Sequence, residues 1–132
     1  MDFINENASR DIITTLKRWL ENKNAGKSFS KYLIDNGYMT IGIMDAGEIG
    51  KILYEELKKS EVEVKWFVDR NAEGIGQIDG KPVRLLRDVF LLEKVDIICV
   101  SPIYDYEKVY SYLVEHDPTI CTLSLRDAAY EM

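Results

Sequence analysis

The chain has 132 residues, 46% hydrophobic and 30% charged, with a net charge of −6 and a pI near 4.8. That length suits one domain with a buried core, and the composition is that of an ordinary soluble globular protein. The acidic balance excludes a general nucleic-acid binder, which needs a basic footprint, and docking on an anionic membrane surface.

The start, "MDFINENASRD", lacks the basic and apolar regions of a signal peptide, and the longest apolar run, "VDIICV", is strand-sized, so a cytoplasmic protein is expected. Residues 1–38 read as a helical extension. Ile12, Ile13, Leu16, Trp19 and Leu20 recur at steps of three and four, which predicts one apolar helix face. "SFSKYLIDNGY" predicts a second short helix, capped by Ser28 or Ser30 and stopped at Gly37.

From residue 39 to 132 the rhythm is strand, helix, strand. Met39–Met44 reads as a strand, and Glu48–Lys59 as a helix with Ile49, Ile52, Leu53 and Leu57 inward. Val62–Val68 is a second strand. "NAEGIGQIDGKPV" predicts a hairpin turning at Asp79-Gly80, without a helix. Arg87–Lys94 follows as a short helix, Val95–Val100 as a strand, Tyr104–His116 as a helix and Thr119–Leu123 as a strand. Ser124 caps a final helix. "IICV" and "TICTL" are apolar on both faces, as buried parallel strands require, and place Cys99 and Cys121 as buried reduced thiols. A single histidine, His116, and no Cys/His cluster argue against a metal site.

This alternation predicts an α/β fold, a Rossmann-like three-layer parallel sheet with an N-terminal helical extension. Ligands of such sheets bind beyond the carboxyl ends of the strands, beside the first strand. The positions of interest are therefore the loop from Met44 to Gly50, Asp69 and Arg70, and Ser101 to Asp105.

The loop sequence "IGIMDAGEIG" follows the glycine pattern that cradles a pyrophosphate at a helix N-terminus. Gly47 and Gly50 fill its second and third glycine positions, and Asp45 stands at the first. Asp69 ends the second strand about twenty residues downstream, where an acid would bind ribose hydroxyls. Arg70 is placed to take a 2′-phosphate, which would favour NADP. A carboxylate about 5 Å from a pyrophosphate charge costs about 3 kcal/mol at an effective dielectric near 20, roughly a hundredfold in affinity. The Asp45 oxygens can also accept N–H bonds from the helix start, so a self-capped loop is expected in place of an intact pyrophosphate site. Aspartate tolerates left-handed turns, so conformation is not expected to oppose it.

"IGIMDAGEIGKILYEELKKSEVEVKWFVDRNAE", "IDGKPV" and "VDIICVSPIYDYEKV" together resemble Rossmann-like domains of bacterial polysaccharide-biosynthesis proteins, found in nucleotide-sugar epimerase/dehydratase relatives and beside glycosyltransferases. The resemblance runs from about Met39 to Leu113. It implies a nucleotide-type site formed by Asp45, Ala46, Gly47, Glu48, Ile49 and Gly50 at the phosphates, Asp69 and Arg70 at the ribose, and Ser101 and Pro102 at the rim. Asp45 departs from that family, which has glycine there.

Tyr104 and Lys108 have the Y-x-x-x-K spacing of short-chain dehydrogenases, although no partner serine stands at a matching distance, and no catalytic residue is assigned. Tyr104, Tyr106, Tyr110 and Tyr112 cannot share one helix face, so some are expected on a contact surface. His116 suits a helix C-terminus, and Trp66 the core. The leading expectation is a non-catalytic or accessory module for a nucleotide or nucleotide sugar in surface-polysaccharide synthesis, dimerising through its N-terminal helices. An NAD(P)-dependent oxidoreductase or epimerase, and an interaction module without ligand, are the alternatives.

Overall fold

A computed structural model describes residues 3–132; Met1 and Asp2, the first residues of the acidic start read above for a targeting signal, lie outside them. Among the described residues six strands form one sheet: β1 (Thr40–Met44), β2 (Glu63–Val68), β3 (Gln77–Ile78), β4 (Lys81–Arg84), β5 (Ile97–Val100) and β6 (Thr122–Ser124). Their order is β3-β4-β2-β1-β5-β6. All neighbours are parallel except β3 and β4, which corrects the expectation of a wholly parallel sheet. Those two form the predicted hairpin, with positive φ at Asp79 (51°) and Gly80 (79°), as tight two-residue turns require.

The helices are α1 (Ala8–Asn24), α2 (Phe29–Asp35), α3 (Glu48–Leu57), α4 (Ala72–Ile75), α5 (Tyr106–His116) and α6 (Leu125–Glu131). Ser28 caps α2, Gly37 follows it at φ 81°, and Ser124 caps α6, as expected. The single turn α4 was not expected in a segment read as hairpin alone. Arg87–Lys94 is replaced by a 3-10 helix over Leu86–Leu91, and α5 starts at Tyr106, where Asp105 caps it, and not at Tyr104. No helix among the described residues is long and apolar enough to cross a membrane.

Alternate strand residues feed two apolar clusters, one on each face of the sheet. Ile41, Ile43, Val64, Phe67, Ile97 and Cys99 pack with residues of α1, α2, α3 and α6. Met44, Trp66, Val68, Ile98 and Val100 pack with α5 and the 3-10 segment. Within β2 the alternation breaks. Ile41 pairs with Val64 but Gly42 pairs with Trp66, so Lys65 is an inserted residue, a β-bulge that turns Trp66 to the second face. The indole then lies across Gly42, where a Cβ would meet its ring at 2.3 Å. Trp66 Nε1 donates to the Glu93 carbonyl at 2.8 Å.

The N-terminal helices belong to the same core, since Trp19, Phe29 and Leu33 are buried in the first cluster. The predicted apolar face of α1 is only partly the buried one: Trp19 is in the core and Ile12 and Leu16 pack against it, but Ile13 and Leu20 do not. Asp11, Thr15, Trp19 and Asn22 face inward, while Ile13 and Leu20 are 67% and 61% exposed. Two of the inward polar groups find partners: Asn22 donates to Ala129 O at 2.8 Å, and Asp11 accepts from the Asn5 amide at 2.8 Å, while the buried Thr15 hydroxyl has none among the described residues. Ile52 is likewise exposed and not inward on α3. Cys99 is buried, which pushes its thiol up to about 12, whereas Cys121, just before the partly exposed edge strand β6, is exposed and not buried as expected.

Candidate functional site

The chain leaves β1 at Met44, turns through residues 45–47, and enters α3 at Glu48. Since β1 lies between β2 and β5, the crevice between its carboxyl end and that of β5 is the point where the strand order reverses. Asp45, Asp69 and Ser101, chosen from three separate stretches of sequence, converge there. Asp45 is 5% exposed, and its Oδ1 accepts from the Gly47 N–H at 2.6 Å. Asp69 Oδ2 accepts from the Ala46 N–H at 2.8 Å and its Oδ1 from the Asn71 N–H at 2.8 Å. Two loop N–H groups are thus already bonded to the protein's own carboxylates.

Burial raises the Asp45 carboxyl above its ordinary range. The Gly47 N–H and the Ser101 hydroxyl counter that rise, Asp69 adds to it, and the Gly50 N–H counters it again. Its φ of 152° lies outside the left-handed turn region, in a range that favours glycine, so conformation does oppose aspartate here. Gly50 serves close packing: a Cβ would meet the Asp45 carbonyl oxygen at 1.6 Å. Gly47, at φ −87°, needs no positive φ, and a Cβ there would approach only the Asp45 carboxylate, at 3.0 Å. Ile49 points into the core, so only its backbone faces the loop, and the Glu48 side chain is exposed at the start of α3.

Tyr104 stands beside this loop, 6% exposed, with Asp69 and Asp45 near enough to reinforce the rise in its pKa caused by burial. The N-terminal arm straps the same segment: Asn5 N–H donates to Ile103 O at 3.0 Å, and Asp105 N–H donates to Phe3 O at 2.7 Å. The Asn5 amide donates to Pro102 O at 3.0 Å, so the predicted rim residue Pro102 is held by its carbonyl.

Two grooves open on either side of Tyr104. One, about 540 Å³, is lined by Phe3, Val68, Arg70, Leu86, Arg87 and Tyr104, among others. The other, about 260 Å³, is polar and runs past Ser101 and Pro102 to Arg126. Tyr104 precedes α5, so it and Lys108 do not share a helix face and the Y-x-x-x-K spacing loses its meaning. Among the described residues no group of three or more His, Cys, Asp or Glu is arranged to hold a metal ion.

Sequence reasoning found the loop, Asp69, Arg70 and Ser101, but not Phe3, Leu86 or Arg87 beside them. Their proximity arises from the β4 crossover and the N-terminal strap, which no local pattern encodes. No protein-family model matches the chain, and neither a curated protein nor a solved structure is significantly similar to it.

Proposed function

We propose that the chain is a Rossmann-like, three-layer cytoplasmic domain acting as a non-catalytic accessory module for a nucleotide or nucleotide sugar in surface-polysaccharide synthesis. The observation that carries the ligand reading is the convergence of Asp45, Asp69, Ser101 and Tyr104 at the strand-order reversal, with an open groove alongside. The dinucleotide oxidoreductase or epimerase reading is weaker, because the loop N–H groups that would hold a pyrophosphate are bonded to Asp45 and Asp69. The same occupancy favours a second reading, an interaction module without ligand. The exposed Ile13 and Leu20 on α1 support dimerisation through the N-terminal helices.

A thermal-shift panel of NAD, NADP, UDP-sugars and coenzyme A tests the ligand reading. A ligand at a hundred times its Kd adds about 2.7 kcal/mol of stability. The expected result is a shift with a nucleotide or nucleotide sugar. A flat response across the panel would leave the interaction module.

A further inference from the structure

The groove beside Asp69 has a composition that the glycine-loop reading does not use. Val68, Leu86, Phe3 and Tyr104 give it an apolar and aromatic lining. Arg70 and Arg87 also line it, and among the described residues neither makes a hydrogen bond or an ion pair. Two unpaired guanidinium groups together are notable on a chain of net charge −6. The Asp69 carboxylate that shares the lining has both oxygens committed to backbone N–H groups. A second, independent observation is Tyr104 itself. Its ring is largely buried, while its hydroxyl bonds to no described residue and stays open to solvent, free to meet a ligand.

We infer that this groove binds a small organic phosphate: its planar body lies on Val68 and Leu86 against Tyr104, and its one phosphate is held by Arg70 and Arg87. Arginine pairs suit a phosphate dianion because each guanidinium can donate two parallel N–H bonds. A groove of about 540 Å³ is within the range of small-ligand sites. A single phosphate is specified because the neighbouring loop has no spare donors at Ala46 and Gly47 for a second one. The inference rests on the nucleotide reading above for the identity of the body, a nucleoside, and departs from it in moving the phosphate from the glycine loop to Arg87 and Arg70.

Isothermal titration with uridine 5′-monophosphate, adenosine 5′-monophosphate, phenyl phosphate and inorganic phosphate tests it, using the full chain and the variants Arg70→Gln, Arg87→Gln, Tyr104→Phe and Asp45→Gly. Both arginines are exposed and unpaired, so their variants should keep the parent Tm. Expected is binding of a mononucleotide that falls roughly tenfold or more in each arginine variant, falls less in Tyr104→Phe, and does not strengthen in Asp45→Gly. Phenyl phosphate binding with the same arginine dependence, without either mononucleotide, would uphold the groove and remove the nucleotide reading. Mononucleotide binding that ignores the arginines and strengthens in Asp45→Gly would overturn the inference and leave the nucleotide reading standing. Inorganic phosphate binding as tightly as the organic probes, or no binding of any probe, would also overturn it.

Discussion

Asp45 combines two costs that are usually kept apart. Its backbone is held at φ 152°, where side chains are strained by about 1–3 kcal/mol, and its carboxylate is buried beside that of Asp69. The Gly47 N–H bond returns part of this, a charged hydrogen bond contributing about 1.5–3 kcal/mol. Asp45→Gly should therefore raise stability at pH 7 by about 1 kcal/mol, read from the urea midpoint. The sign of the pH dependence follows from the raised carboxyl. Relative to the unfolded chain, the folded state favours the protonated form, so stability is fully present below the ordinary carboxyl range. It is lost as pH rises through the folded value. The advantage of the glycine variant should grow from pH 4 to pH 7; an equal advantage at both would exclude the electrostatic part. The aspartate was visible in the sequence as the odd residue of the loop. Its backbone angle was not, because a left-handed turn and φ 152° leave the same trace in a string of letters.

Among the elements, the junction of α1, α2 and α3 depends on Glu56. Its Oε1 accepts from Trp19 Nε1 at 3.1 Å and its Oε2 from the Phe29 N–H at 2.7 Å, with Lys23 Nζ 3.9 Å away. One carboxylate from α3 thus holds the α1 indole and caps the first N–H of α2. Glu56→Ala leaves both donors without acceptors and should cost about 2–4 kcal/mol, with Glu56→Gln roughly half of that. Denaturant unfolding reads both, and a loss below about 0.5 kcal/mol for the alanine variant would show that water replaces the carboxylate. The core elements β1, α3, β2 and β5 were readable because apolar spacing alone defines them. Helix α1 was readable as a helix but not in its orientation. Its inward Asn22 is satisfied by Ala129, far away in sequence, and Asp11 by Asn5 of the N-terminal arm, so the core face is shifted toward polar positions and leaves Ile13 and Leu20 outside. The bulge at Lys65 is hidden in the same way: an extra residue in a strand changes the facing of Trp66 without changing composition.

For the whole molecule, the outward apolar positions bear on assembly. Ile13 and Leu20 are more than half exposed on α1, and Ile52 is 45% exposed on α3. Dimerisation through the N-terminal helices predicts a sedimentation mass near twice 15.3 kDa, reduced to a single chain by Leu20→Glu. A wild-type chain that stays monomeric at about 100 µM, a concentration at which a micromolar interface would be filled, sinks that prediction. The site was partly readable at this scale, since parallel topology gathers loop ends at one edge and so brought Asp45, Asp69 and Ser101 together from a distance. The meeting of Phe3, Tyr104 and Arg87 along one groove was not readable, because it needs the strap and the crossover to be known first. One further property belongs to the sheet as a whole. The cross-strand partners just after the bulge, Gly42 and Trp66, compete for a single volume, so they are in effect one choice made at two positions. A descendant of this chain can enlarge residue 42 only after, or together with, shrinking or moving the side chain at 66.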